Sequence, residues 1–115
     1  MAYDEGLAER LAGIIDDKFD TMVNLEAKKM FGGCGYMLDG NMCFGILKDN
    51  LIVRVGVETA ERIIQEPHVR VMDFTGKVMK GWAMVEPEAM TEDEDLQRFC
   101  SYAIDFVKTL PEKPF

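Results

Sequence analysis

Histidine and tryptophan each occur once, at His68 and Trp82, in a chain of 115 residues. A lone imidazole cannot supply the spaced ligand cluster on which a metal centre is built. No hydroxyl or thiol sits in a recognisable nucleophile context, so neither catalytic nor metal-binding residues are assigned, and no cofactor is expected. Cysteine is scarce and odd in number, with Cys34, Cys43 and Cys100. That excludes a framework made purely of disulfides and points to free thiols in the cytoplasm. Basic residues are few, 13 against 21 acidic ones, which leaves a formal net charge of −8. Such a chain has no broad attraction for phosphates, so direct nucleic-acid binding is not expected. Long apolar runs are missing too, and the acidic start MAYDEGLAERL lacks a secretion core, so no membrane role is expected.

What is present is concentrated in the stretch 30–56, MFGGCGYMLDGNMCFGILKDNLIVRVG. Asp39-Gly40-Asn41 is a hairpin signal, and Lys48-Asp49-Asn50 is a second turn of short polar residues. Three antiparallel strands follow from these turns. With Asp39-Gly40 and Asp49-Asn50 as two-residue turns, side-chain alternation divides the strands into two faces. Met37, Met42, Phe44, Ile46, Leu51, Val53 and Val55 form an apolar face that should lie under helices. Cys34, Tyr36, Leu38, Cys43, Gly45, Leu47, Ile52 and Arg54 form the other. If it is open, Tyr36, Leu38, Leu47, Ile52 and Arg54 make a self-association or partner face, because monomers avoid such patches. If a further helix covers it, the same residues belong to the core.

Gly32, Gly33 and Gly35 do not make a phosphate loop, since the third glycine of the dinucleotide pattern and the following helix are both missing. Close backbone approach or a bulge accounts for them better. A helix is expected over 3–24, with Asp4 as its cap and Leu7, Leu11, Ile14, Ile15 and Met22 at helical spacing. A short helix over 57–66 ends at Pro67. Strands are expected over 69–74 and 82–86. Thr91-Glu92-Asp93-Glu94 reads as a capping box for a last helix that carries Leu96, Phe99, Cys100, Ala103, Phe106, Val107 and Leu110. Arg70, Lys77, Lys80 and Trp82 cluster in the acidic chain. They form either a partner-binding patch with an aromatic anchor or a solvated turn beside a half-buried tryptophan. The predicted class is α+β, with two layers, a five-stranded antiparallel sheet and the order α-β-β-β-α-β-β-α.

An ordered set of short segments carries a resemblance. It comprises Lys29-Met30-Phe31-Gly32-Gly33, Gly40-Asn41-Met42-Cys43-Phe44-Gly45, Leu51-Ile52-Val53-Arg54-Val55, Pro67-His68-Val69-Arg70, Asp73-Phe74-Thr75-Gly76-Lys77 and Met79-Lys80-Gly81-Trp82. Together they resemble the amino-terminal domain of the TfoX/Sxy family of competence regulators, along nearly the whole chain. The resemblance implies a two-layer fold with a sheet like that of secretion chaperones. It also implies a non-catalytic regulatory role through a protein partner, such as the cyclic-AMP receptor protein. The chain is expected to be one domain over 1–115, without the family's carboxy-terminal helical domain, and a homodimer is possible. A small chaperone-like or ligand-binding protein is the competing expectation.

Overall fold

A computed structural model of the chain describes residues 4–18, 25–30, 33–74 and 76–111. The element order is α1 (Glu5–Lys18), β1 (Leu25–Met30), β2 (Gly33–Leu38), β3 (Asn41–Leu47), β4 (Asn50–Arg54), α2 (Val57–Ile63), β5 (Val69–Phe74), β6 (Lys77–Val85) and α3 (Asp93–Val107), with a short 3-10 turn at Pro87–Ala89. The strands form one antiparallel sheet in the order β1-β2-β3-β4-β6-β5. The class is α+β, as the turn chemistry predicts, but the described residues form six strands and not five. The extra one is β1, whose Glu26 and Lys28 give it little strand character in sequence. Pairing with β2 along its whole length overrides that weak propensity. Expectations that fall on 19–24, Gly32, Thr75 and 112–115 lie outside the described residues.

Local chemistry sets the helix ends. The Leu7 N–H donates to Asp4 Oδ1 at 3.1 Å, so Asp4 is the expected cap of α1. The capping box at α3 does not form. Glu92 precedes the helix and makes no side-chain cap bond. Asp93 turns instead to Arg10 of α1, which donates to its carboxylate at 3.1 Å and to the Met90 carbonyl at 2.7 Å. Three acidic residues in the first turn of α3 still suit the positive end of its dipole. At the other side of the layer, Arg98 of α3 donates to both oxygens of Glu66 at 2.9 Å and lies 4.4 Å from the Phe99 ring centre. This planar double bond ties the end of α2 to α3.

The helices pack on one side of the sheet. α3 covers β3 and β4, α2 covers β6, and α1 lies against α3. Phe44, Phe99, Leu11, Ile46, Leu51, Val53 and Leu96 are fully buried between the layers. Each such side chain contributes about 1.5–3 kcal/mol on burial, which makes this layer the main source of stability.

The register explains which residues share that core. Asp39 and Gly40, at φ 52° and 83°, form the expected turn and place Leu38 opposite Asn41. Met37 then pairs with Met42, but Tyr36 pairs with Phe44, so Cys43 is an extra, bulged residue. A shift of one residue exchanges the faces of a strand. Tyr36 and Leu38 therefore do not lie on the open face, contrary to strict alternation. Tyr36 stacks on Phe44 at 5.2 Å between ring centres, and Leu38 is buried at 3% exposure in the core under the helices. Met37 stands opposite Met42 on the helix-free side.

The second turn differs as well. Lys48 and Asp49 form it, Lys48 has φ 59°, and Leu47 pairs with Asn50. The Lys48 carbonyl accepts the Asp4 N–H at 2.6 Å, which ties this turn to the start of α1. Relative to the expected register the slip is two residues, and two residues preserve the faces. Leu51, Val53 and Val55 point under the helices as expected. At Gly45 a Cβ atom would lie 2.7 Å from the Cys34 carbonyl oxygen and 3.1 Å from Gly35 Cα. Close approach of β2 and β3 is thus the reason for the glycine at position 45.

Candidate interaction surface

On the helix-free side, Ile52, Met72 and Met84 form a second small cluster, with Met42, Leu47, Met79 and Trp82 packed around it. Methionine is unbranched and fills irregular gaps, so these side chains cover one another without an overlying helix. Ile52 is only 9% exposed and Met72 3%. The Arg54 guanidinium carbon lies 5.9 Å from the Trp82 ring centre, within cation–π range. Of the predicted self-association residues, Leu47, Ile52 and Arg54 therefore share this face, and Tyr36 and Leu38 do not.

A more open apolar surface lies where α2 meets the β5–β6 hairpin. Between β5 and β6 the register shifts at Met72, and Gly81 adopts φ 83°. The Gly81 carbonyl accepts two N–H groups, from Val55 at 2.9 Å and Gly56 at 3.1 Å. This kink leaves a groove of about 250 Å³, lined by Val57, Ala60, Glu61 and Ile64 of α2 and by Val71, Val78, Met79, Lys80, Gly81 and Trp82 of the hairpin. Val57, Val71 and Val78 are 51%, 45% and 57% exposed. They are the large apolar residues that remain exposed among the described residues, and all three line this groove.

Among the predicted partner-binding residues, Lys80 and Trp82 line the groove, and Lys77 opens strand β6 nearby. The lysines thus sit on a strand and not on a connecting turn. Neither Lys77 nor Lys80 has a carboxylate partner among the described residues. Arg70 is engaged elsewhere, with its Nε 3.6 Å from Glu86 Oε2. His68, at φ 64°, sets its Nδ1 3.6 Å from the other oxygen of the same carboxylate. The sequence reading missed Val57, Val71 and Val78. Val71 could have been found as an apolar residue repeating Val69 in a segment that also carries Arg70.

The remaining chemistry is quiet. Burial pushes the Cys43 thiol up to about 12 and raises the Cys100 thiol as well, so both stay protonated. Cys34 is partly exposed, and all three cysteines are free. Among the described residues no group of His, Cys, Asp and Glu is arranged to hold a metal ion, and no helix is long and apolar enough to cross a membrane.

No curated protein and no solved structure gives a significant match to the chain. A family model does: the TfoX N-terminal domain matches residues 17–107, which include the six described strands, the groove and all of α3. The bulged hairpin, the hairpin basic residues and the kink at Gly81 all lie inside that span, and the chain belongs to the TfoX N-terminal domain family.

Proposed function

We propose that this protein is a non-catalytic regulatory domain that acts by binding a protein partner in the cytoplasm, in the manner of the competence regulators its family is named for. The groove beside α2 carries this reading. Three exposed valines at one site are unusual when the other large apolar side chains among the described residues are at least partly covered, and such a concentration marks an interaction surface. Lys77 and Lys80 beside it suit an acidic partner, and Trp82 suits an anchor. A transcription factor such as the cyclic-AMP receptor protein is the partner class the family suggests. The test is recovery of tagged protein from its host after nuclease treatment, with Val78→Asp as the paired control. A transcription factor or polymerase subunit recovered with the wild type and lost with Val78→Asp supports the reading. Identical recovery with both removes the groove from it.

A second reading rests on the methionine-rich sheet face, where Leu47, Ile52 and Arg54 meet Trp82. There two copies would pack face to face. Sedimentation of wild type and Leu47→Asp distinguishes the cases, and an unchanged oligomeric state sinks the dimer.

A further inference from the structure

We propose that β5 is a docking edge to which an extended segment of a partner protein, alternately apolar and acidic, adds as a further strand with its side chains in the groove beside α2. This rests on the reading of that groove as the interaction surface and specifies how it is used.

The direction of the backbone groups comes first. The Glu86 N–H donates to the His68 carbonyl at 2.9 Å, and the Val55 N–H to the Gly81 carbonyl at 2.9 Å. In antiparallel pairing, residues that bond to a given neighbour alternate along the strand. His68 and Arg70 thus bond inward to β6, and Val71 presents its N–H and C=O outward. Since β5 is the outermost strand, those groups have no strand beyond them. They are a template for another strand.

The side-chain rows agree. Across the helix side of the sheet, Phe44 pairs with Val53, Val53 with Ala83, and Ala83 with Val71. The first three are wholly buried, and Val71 is 45% exposed. The adjacent row ends at Val69, which is 5% exposed and closed. On the opposite face, the row through Ile52 and Met84 ends at the charged Arg70. Of these three rows, the Val71 row alone stops unfinished. In an added antiparallel strand, the residue opposite Val71 shares its face. An apolar side chain there would complete the row and cover the groove wall.

Charge selects the occupant. Lys80 on the groove wall and Lys77 beside it lack carboxylate partners among the described residues, and Glu61 is the one acidic residue of the lining. A carboxylate on the incoming segment would meet Lys80. A second copy fits worse. A two-fold axis at Val71 would bring the Arg70, Lys77 and Lys80 groups of both chains to one seam.

The probe is a capped nine-residue peptide of alternating valine and threonine with two glutamates, compared with the same peptide bearing lysines. Binding to the full chain is read by fluorescence anisotropy and by amide shifts of β5. The glutamate peptide should bind at least tenfold more tightly than the lysine peptide, and Lys80→Glu should reverse that order. Val71→Pro, and separately N-methylation of the central peptide residue, should each weaken binding tenfold or more. The methylated peptide leaves the protein untouched, so its result stands even if Val71→Pro unfolds the hairpin. Full binding of the methylated peptide, with loss on Val78→Asp, would overturn strand addition and keep the groove. Binding unaffected by every change, or absent from both peptides, would overturn the proposal. Loss on neither Val78→Asp nor methylation would remove the groove reading too. Peptide-blocked dimerisation of the chain alone would make a second copy the occupant and overturn the proposal as stated.

Discussion

The two outer strands of the sheet solve the same problem differently. Each has one side without a neighbour, which is a hazard for unwanted pairing. β1 carries charge: Glu26 and Lys28 occupy one face, and among the residues whose side chains are described the exposed one on the other face is the small Ala27. β5 places Arg70 on one face but leaves Val71 and the groove on the other. The β1 end thus carries charge on its helix-free face, whereas the β5 end carries Arg70 and Asp73 together with an exposed valine and the groove. The β1 end also holds the bulge that draws Tyr36 and Leu38 into the core, so its apolar surface is used up internally.

The contrast between the two ends can be broken at several points. The largest effect is expected at Leu38. Leu38→Ala should cost about 3 kcal/mol in urea unfolding, since it empties a fully buried site. A cost under about 1 kcal/mol would mean that Leu38 faces outward and that the bulge is misplaced. Next comes a pair of neighbours on β5. Arg70→Pro removes an inward ladder bond and should cost about 2 kcal/mol, whereas Val71→Pro removes only an outward N–H and should cost less than about 1 kcal/mol. Equal costs would contradict the assigned ladder.

A smaller effect is expected from the buried thiols. The Cys43 thiol rises from an ordinary value of 9.0 to about 12 in the fold. Its contribution is complete below pH 9, because both states are then protonated. Above that pH the unfolded chain loses the proton and the folded one keeps it, so stability falls as pH rises from 9 towards 12. Wild type should lose about 1 kcal/mol more than Cys43→Ala per pH unit in that window. An identical pH slope would mean that the thiol is solvated in the fold. The smallest stability change, within about 0.5 kcal/mol, is expected for Lys28→Val. That variant removes a charge from the β1 edge, and its readout is a concentration-dependent rise in sedimentation coefficient. No rise would mean that charge is not what guards the β1 edge.

Much of the layer arrangement was legible because its signals are local. Asp39-Gly40 sets one hairpin by positive φ, Asp4 caps α1 by its own carboxylate, and the α3 stripe from Leu96 to Val107 has plain helical spacing. The failures share a different cause. The bulge at Cys43 depends on which residue of β2 meets β3, and no residue type announces it. Thr91 is not the cap of α3, which starts one residue later than expected, and Arg10, 83 positions away from Asp93, engages that start. β1 forms because β2 offers it an edge, not because Leu25–Met30 prefers to be extended. Of the interaction site, the basic residues and Trp82 were visible as a cluster. The valines were not, since their exposure follows from the kink at Gly81 and the position of α2.

The extra residue at Cys43 also has a consequence for how genes of this type can change length. It acts as a parity marker for the hairpin. Loss of that single codon would restore strict alternation between β2 and β3 and turn Tyr36 and Leu38 out of the core. Loss or gain of two residues in the same strand would leave every face where it is. Insertions and deletions along β3 are therefore expected to survive in even steps and be purged in odd ones.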